Sequence, residues 1–370
     1  MNLDFQRLMK AATRFTRGGD LRAATAAIQA ALMRNTPARE RPPMDDVIDV
    51  HANEVAVAPH ALHAQAPPAP SAVDGTPPPA ATAQPRGAGE FIAGRFATAT
   101  DGRDYKLYIP PQAGQRPLPL VVMLHGCTQN PDDFAAGTGM NESARAQGFF
   151  VLYPAQSQKA NAHRCWNWFK HNHQERGRGE PALLAGMTRD VMARHSIDPA
   201  RVFVAGLSAG GAMAAILGET YPDLFAAVGV HSGLAAGSAN DLPSALGAMK
   251  RSAAKASGSA SGVPTIVFHG DADGTVHPGN GAHVIAASIR PAADVETEQG
   301  LAAGGHRYTR HLHRGADGGQ VLAEHWVVHS AAHAWSGGSA KGSYTDPRGP
   351  DATAEMLRFF MAHARASAAS

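Results

Sequence analysis

The sequence predicts an α/β fold, a mostly parallel sheet with helices on both faces. From about residue 90, short continuous apolar runs rich in β-branched residues alternate with helical segments, the pattern of strands buried on both sides. One of these runs, Val202–Ala205, leads through Gly206-Leu207-Ser208-Ala209-Gly210 straight into a helix-forming stretch. The chain has 370 residues, 44% of them hydrophobic and 17% charged, so a sizeable core can be built.

Residues 1–35 carry helical periodicity. Leu3, Phe5, Leu8, Met9 and Ala12 share one face, and Leu21, Ala24, Ile28, Ala31 and Leu32 another, with a break at Gly18-Gly19-Asp20. The plain reading is a small helical hairpin. The sharper one is an arm that docks on a partner or a polymer granule. Asp4, Gln6, Arg7 and Lys10 interrupt the apolar residues at once, so no secretory signal is read there. Residues 36–88 are expected to be a disordered linker. Within them, residues 37–85 hold 11 of the 26 prolines and lack Phe, Trp and Tyr, too little apolar surface to offset the entropy of ordering.

The catalytic domain is expected over residues 89–366. Phe91 to Pro110 reads as a hairpin turning at Asp101-Gly102. Strands are expected at Leu120–Leu124, Phe149–Tyr153, Val202–Ala205, Ala227–Val230 and Thr265–Phe268, and helices at Asp132–Gln147, Ala182–His195, Ala209–Thr220 and Asp351–Ala364.

Composition removes several function classes. Lys and Arg number 33 against 31 Asp and Glu, a net charge of +2, too balanced for a protein built to neutralise many phosphates; no nucleic-acid partner is expected. No apolar run is long enough to span a membrane as a helix. Two cysteines cannot make a Cys-only zinc site.

G-x-S-x-G between a strand and a helix is a nucleophile elbow, whose glycines let the turn close while the serine is lifted above the sheet. Ser208 is therefore the candidate nucleophile. A serine hydroxyl needs a base, and in this architecture an acid and then a histidine follow in the chain. Asp271 and Asp273 both lie just past the run Thr265–Phe268; Asp273 is preferred on loop position, with Asp271 as the shaper of the turn. His333 is the candidate base, in a loop of small residues after the strand-like His325–Val328. His325, His329 and His333 would make a metal face only on a helix, and Trp326-Val327-Val328 reads as strand, so no metal is expected. His311 and His313 alternate on a further expected strand. The oxyanion of an acyl-transfer intermediate needs two backbone N–H groups. Ala209, after the nucleophile, and Cys127, in His125-Gly126-Cys127 after an early strand, are the candidates. Trp166, Trp168 and Trp335 fall on loops around this site and are expected to wall a substrate pocket. A Cys127–Cys165 disulfide would tie the oxyanion loop to the segment Cys165-Trp166-Asn167-Trp168-Phe169 and would indicate an oxidising compartment.

The segments HGCTQ, CWNWF, GLSAGG with TYPDLFAAVGVHSG, HGDADGTVHP, and HAWSGG with SYTDPRGPDATAEMLRFF together resemble the short-chain poly(3-hydroxybutyrate) depolymerase family of esterases, which is similar to feruloyl and acetylxylan esterases. The resemblance implies an α/β-hydrolase fold and a cofactor-free carboxylesterase. It maps the catalytic serine, acid and histidine onto Ser208, Asp273 and His333, the oxyanion position onto Cys127, and a cysteine pairing onto Cys127 and Cys165. It implies an extracellular setting, against which stands the charged N-terminus, so the compartment stays open. An ester of a hydroxyalkanoate oligomer or polymer is the expected substrate; a feruloyl or acetylxylan ester, and a non-catalytic granule-binding role, are the alternatives.

Overall fold

The computed structural model describes residues 87–98, 101–252, 260–289, 294–315 and 319–365. The helical segment and the body of the linker expected before residue 87 lie outside the described residues, as does any docking role for them.

Ten strands form one sheet: β1 (Glu90–Ala97), β2 (Gly102–Ile109), β3 (Leu118–Leu124), β4 (Phe150–Pro154), β5 (Ile197–Leu207), β6 (Ala227–His231), β7 (Thr265–Gly270), β8 (Asp294–Leu301), β9 (Arg307–Arg314) and β10 (Val321–Val328). Their order is β1-β2-β4-β3-β5-β6-β7-β10-β9-β8. The six central strands, β4 to β10 in that order, run parallel, while β1 and β2 at one edge and β8 and β9 at the other are antiparallel. A short parallel pair, β11 (Trp335–Ser336) and β12 (Thr345–Asp346), stands apart.

Seven helices are described: α1 (Pro131–Thr138), α2 (Met140–Gln147), α3 (Gly179–Arg194), α4 (Ala209–Thr220), α5 (Leu242–Lys250), α6 (Gly279–Ser288) and α7 (Ala352–Met361). Leu120, Val122 and Leu124 of β3 face one core layer with residues of α3, α4, α5 and α6, whereas Val121 and Met123 face a second layer with α1, α2 and α7. This is why β3 is apolar at every position: each face must be buried, at about 1.5–3 kcal/mol per large aliphatic side chain.

Two local expectations are corrected. The helix expected over Asp132–Gln147 is two helices, because Gly139 adopts φ 64 and its N–H caps Ala135. The hairpin does not turn tightly at Asp101-Gly102. Gly102 pairs with Ala97 inside the ladder, and the Thr98 N–H donates to the Asp101 carbonyl at 2.7 Å. The region between the fifth expected strand and the last helix holds α6 and the β8–β9 hairpin.

The parallel strands all deliver their C-terminal ends to one side of the sheet. Ser208 follows β5, His231 closes β6, Asp273 follows β7 and His333 follows β10. Parallel topology thus gathers residues far apart in the chain at one edge.

Candidate active site

Ser208 sits between β5 and α4 with φ 58 and ψ −119, a conformation sparsely populated by side-chain-bearing residues. Two glycines make this turn possible. A Cβ on Gly206 would come 2.4 Å from the carbonyl of Gly210, and one on Gly210 would come 2.0 Å from the Leu124 oxygen. The turn is anchored by the Ser208 N–H, which donates to the His231 carbonyl at 2.8 Å. The residue is half-buried. Among the described residues its hydroxyl makes no hydrogen bond, so the Ser208–His333 bond of a poised pair is not formed here. Such bonds commonly tighten only when substrate binds.

Asp273 and His333 are joined. His333 Nδ1 donates to Asp273 Oδ2 at 2.6 Å, and the Asp273 side chain is fully buried. The other oxygen, Oδ1, accepts the N–H groups of Thr275 at 2.8 Å and Val276 at 2.9 Å. Burial pushes this carboxyl up. The imidazoles of His269 and His333 and the Val276 amide overcome that and hold it well below the usual carboxylate range. With Nδ1–H committed to Asp273, the His333 tautomer leaves Nε2 open to take a proton. Asp271 points elsewhere. Its carboxylate accepts from His329 Nδ1 at 2.8 Å and from the Ser330 amide at 2.6 Å, bracing the start of the His333 loop. The three histidines weighed as a metal face diverge: His329 turns to Asp271, His333 to Asp273, and His325 lies beside His311 with ring centroids 6.0 Å apart.

His231, although inside a quoted motif, was given no role by sequence reasoning. Its carbonyl holds the Ser208 amide, and its ring Nε2 accepts the Ser336 N–H at 2.9 Å, three residues after His333. Nδ1–H donates to Ser232 Oγ at 3.1 Å. Burial, helped by the positive potential of His269 and His333, lowers the ring's pKa to about 3, so it stays neutral and keeps that acceptor.

The oxyanion candidates converge on the same turn. A Cβ on Gly126 would lie 3.7 Å from Ser208 Cβ, so the loop after β3 adjoins the nucleophile. Among the described residues neither the Cys127 nor the Ala209 amide donates a hydrogen bond, while the amides on either side of Cys127 do: Gly126 to Gln129 Oε1 at 2.9 Å and Thr128 to the His163 carbonyl at 2.7 Å. His125 keeps the loop in place from below. Its Nδ1–H donates to the Gly126 carbonyl at 2.7 Å, and Nε2 accepts the Gln156 amide at 3.1 Å. Burial lowers its pKa to about 4. Cys127 is disulfide-bonded to Cys165, across a Cα–Cα distance of 4.2 Å.

The three tryptophans do not stand as open pocket walls. Trp166, Trp168 and Trp335 are 0%, 5% and 1% exposed. The Trp166 indole donates to the His125 carbonyl at 3.1 Å, and that of Trp335 donates to Thr353 Oγ1 at 3.1 Å. Trp168 packs edge-on to Phe169. The N–H groups of Trp166 and Trp335 find partners inside, and all three rings are buried rather than turned to solvent. The loop of Cys165 and Trp166 is also held by Glu180, whose carboxylate accepts the Asn167 amide at 2.7 Å, Asn167 Nδ2 at 2.8 Å and Gln156 Nε2 at 2.5 Å. Burial pushes Glu180 up, but His173 and these donors hold it below the usual range.

A lifted serine, a buried carboxylate–imidazole pair and two undonated amides, all at one sheet edge, are the equipment of acyl transfer. The ten-stranded, mostly parallel sheet that carries them has an α/β-hydrolase-like fold. The chain belongs to the Esterase PHB depolymerase family, whose model matches residues 103–309, more than half of its length. Ser208 and Asp273 lie inside that range and His333 beyond it. The chain is 38% identical over 175 residues to poly(3-hydroxyalkanoate) depolymerase C of Paucimonas lemoignei, covering 44% of this chain and 42% of that one. It is 34% identical over 140 residues to feruloyl esterase B of Thermothelomyces thermophilus, covering 38% and 47%. The chain thus spans about half the length of the relatives it matches. Among solved structures, an acetyl xylan esterase from Aspergillus awamori shares the fold with a TM-score of 0.54 at 20% identity, over 73% of this chain and 99% of that one.

Proposed function

We propose that residues 89–366 form a serine carboxylesterase that hydrolyses short-chain hydroxyalkanoate esters, as oligomers or polymer, through a covalent acyl-enzyme. The observation that carries this reading is the buried 2.6 Å bond between Asp273 and His333, which presets the imidazole tautomer a serine nucleophile needs. His333 Nε2 takes the Ser208 proton as the hydroxyl adds to the ester carbonyl. Asp273 stabilises the imidazolium without itself becoming protonated. The amides of Cys127 and Ala209 receive the oxyanion, each lowering the barrier by about 3 kcal/mol. His333 then protonates the departing alcohol and activates the water that releases the acid. No cofactor enters these steps.

A hydroxyalkanoate substrate is supported by the likeness to the Paucimonas lemoignei depolymerase at 38% identity. A second reading, hydrolysis of a feruloyl or acetyl ester, is favoured by the 34% likeness to feruloyl esterase B. Turnover of hydroxybutyrate trimers against methyl ferulate separates the two. The chemistry itself is tested by Ser208→Ala with p-nitrophenyl butyrate. A loss of at least about 10⁴-fold in kcat is expected, and retained turnover would end the proposal.

A further inference from the structure

Tyr344 lies between β11 and β12 on the chain that returns from the His333 loop, and two features set it apart. It is 48% exposed, one of few large hydrophobic side chains so placed among the described residues, and its backbone is in the left-handed region at φ 52. An aromatic residue there is an outlier that costs on the order of 1–3 kcal/mol. A solvent-facing turn with no other demand would relax that cost with Gly or Asn.

The surroundings hold it in place from every side. The preceding Ser343 donates its N–H to Asp133 Oδ1 at 2.8 Å and its hydroxyl to Oδ2 at 2.6 Å, and its carbonyl accepts from Gln129 Nε2 at 3.0 Å. The Tyr344 carbonyl accepts the Trp335 amide at 2.7 Å, two residues beyond His333. The following Thr345 pairs with Trp335. The phenol reaches the other side of the site. The Thr128 hydroxyl donates to the Cys127 carbonyl at 2.6 Å, so its oxygen accepts the Tyr344 O–H at 3.2 Å. Thr128 is itself at positive φ, 67, and adjoins the oxyanion candidate Cys127. Gln129 closes the circuit, since the same side chain takes the Gly126 amide through Oε1 and holds Ser343 through Nε2.

The result is one exposed aromatic ring fixed between the loop of Cys127 and the loop of His333. A ring so constrained keeps its face available and loses little entropy when a ligand packs on it. We propose that Tyr344 is a substrate-contacting specificity residue: its ring packs against the part of an ester that continues beyond the scissile group, a further hydroxyacyl unit or an aryl group, and so favours extended esters over small ones. This deepens, and rests on, the reading of Ser208 as the nucleophile at the adjoining turn.

Steady-state kinetics on 3-hydroxybutyrate trimer and on ethyl 3-hydroxybutyrate test it. Tyr344→Asn removes the ring yet keeps a residue that tolerates the left-handed region, so the backbone is not asked to move. The expected result is a rise of about tenfold in KM for the trimer with kcat nearly held, and a much smaller loss on the ethyl ester, so the selectivity ratio falls about tenfold. Tyr344→Phe keeps the ring and should keep most of the ratio. If the parent enzyme rejects the trimer, the ratio is read with methyl ferulate against methyl acetate. A ratio unchanged within twofold in Tyr344→Asn, with its unfolding midpoint intact, would overturn the inference. Turnover by Ser208→Ala would instead overturn the mechanism beneath it.

Discussion

The Ser336 amide donates to Nε2 of His231 at 2.9 Å, and through this bond the histidine loop hangs on the strand that also holds the nucleophile. His231 grips Ser208 by its carbonyl and the segment after His333 by its ring, which is stacked with Trp335 at 5.1 Å and with Phe268 at 5.8 Å. One residue thereby links the Ser208 turn to the segment that follows His333.

Loss of the ring should displace His333 without touching any reacting atom. His231→Ala is expected to lower kcat by about 10²-fold, because a misplacement of about 1 Å is enough for that, and to cost about 1–3 kcal/mol of stability by leaving a buried amide unpaired. His231→Gln offers an oxygen acceptor and should recover part of kcat. Equal kcat in His231→Ala and the parent enzyme would show that the loop is held by other means.

The two candidate acids should separate sharply. Asp273→Asn removes the charge that faces His333 and lets the wrong tautomer form, so kcat should fall by about 10⁴-fold. Asp271 bonds His329 and the Ser330 amide, both outside the proton path. Asp271→Asn should therefore lower kcat by no more than about tenfold and act through loop order. The reverse ranking in p-nitrophenyl butyrate assays would reassign the acid.

The elbow, the Asp273 loop and the His333 loop were legible because each needs particular residue types at particular places: glycines where a side chain at 210 would strike the Leu124 oxygen, a carboxylate just past a strand, small residues around a histidine. The parallel core was legible because strands such as β3 are buried on both faces and therefore apolar throughout. The edge hairpin was harder. β8 reads Asp-Val-Glu-Thr-Glu-Gln-Gly-Leu and is exposed along almost all its length, so it carries no hydrophobic period to detect. The tryptophans were misplaced for a different reason: position on a loop says nothing of whether an indole N–H finds a partner inside, as Trp166 does at His125. The tie from His231 to Ser336 joins a side chain to a backbone group 105 residues away, and no local pattern announces it. The one trace of Tyr344 in the sequence is an aromatic in a turn.

Stability should fall with acid before the carboxylates titrate. Burial lowers the pKa of His125 to about 4, and burial together with neighbouring histidines lowers those of His231 and His325 to about 3, against about 6.5 in the unfolded chain. Below 6.5 the unfolded state therefore binds more protons than the folded one, and ΔG of unfolding drops as pH falls, by up to about 2 kcal/mol per histidine between pH 6.5 and 5. Urea unfolding at pH 7, 6 and 5 reads this slope. His325→Gln, at a ring whose Nε2 has no hydrogen-bond partner among the described residues, should flatten it. A flat profile in the parent protein would contradict the burial of these rings.

Reduction of the Cys127–Cys165 bond should act on both stability and rate, for separable reasons. The link closes a loop of 38 residues, for which the chain-entropy model gives about 4 kcal/mol of stabilisation of the folded state. It also fixes the residue whose free amide is proposed to meet the oxyanion, and loosening that donor should cost up to about 10²-fold in kcat. Cys165→Ala leaves the Cys127 backbone in place while cutting the tie. Its expected signature is a lower unfolding midpoint with kcat reduced and KM little changed, the same as the parent enzyme under dithiothreitol. A parent enzyme that keeps full kcat on reduction, at a temperature where it stays folded, would show that the hydrogen bonds of Gly126 and Thr128 suffice to hold the oxyanion loop without the sulfur bridge.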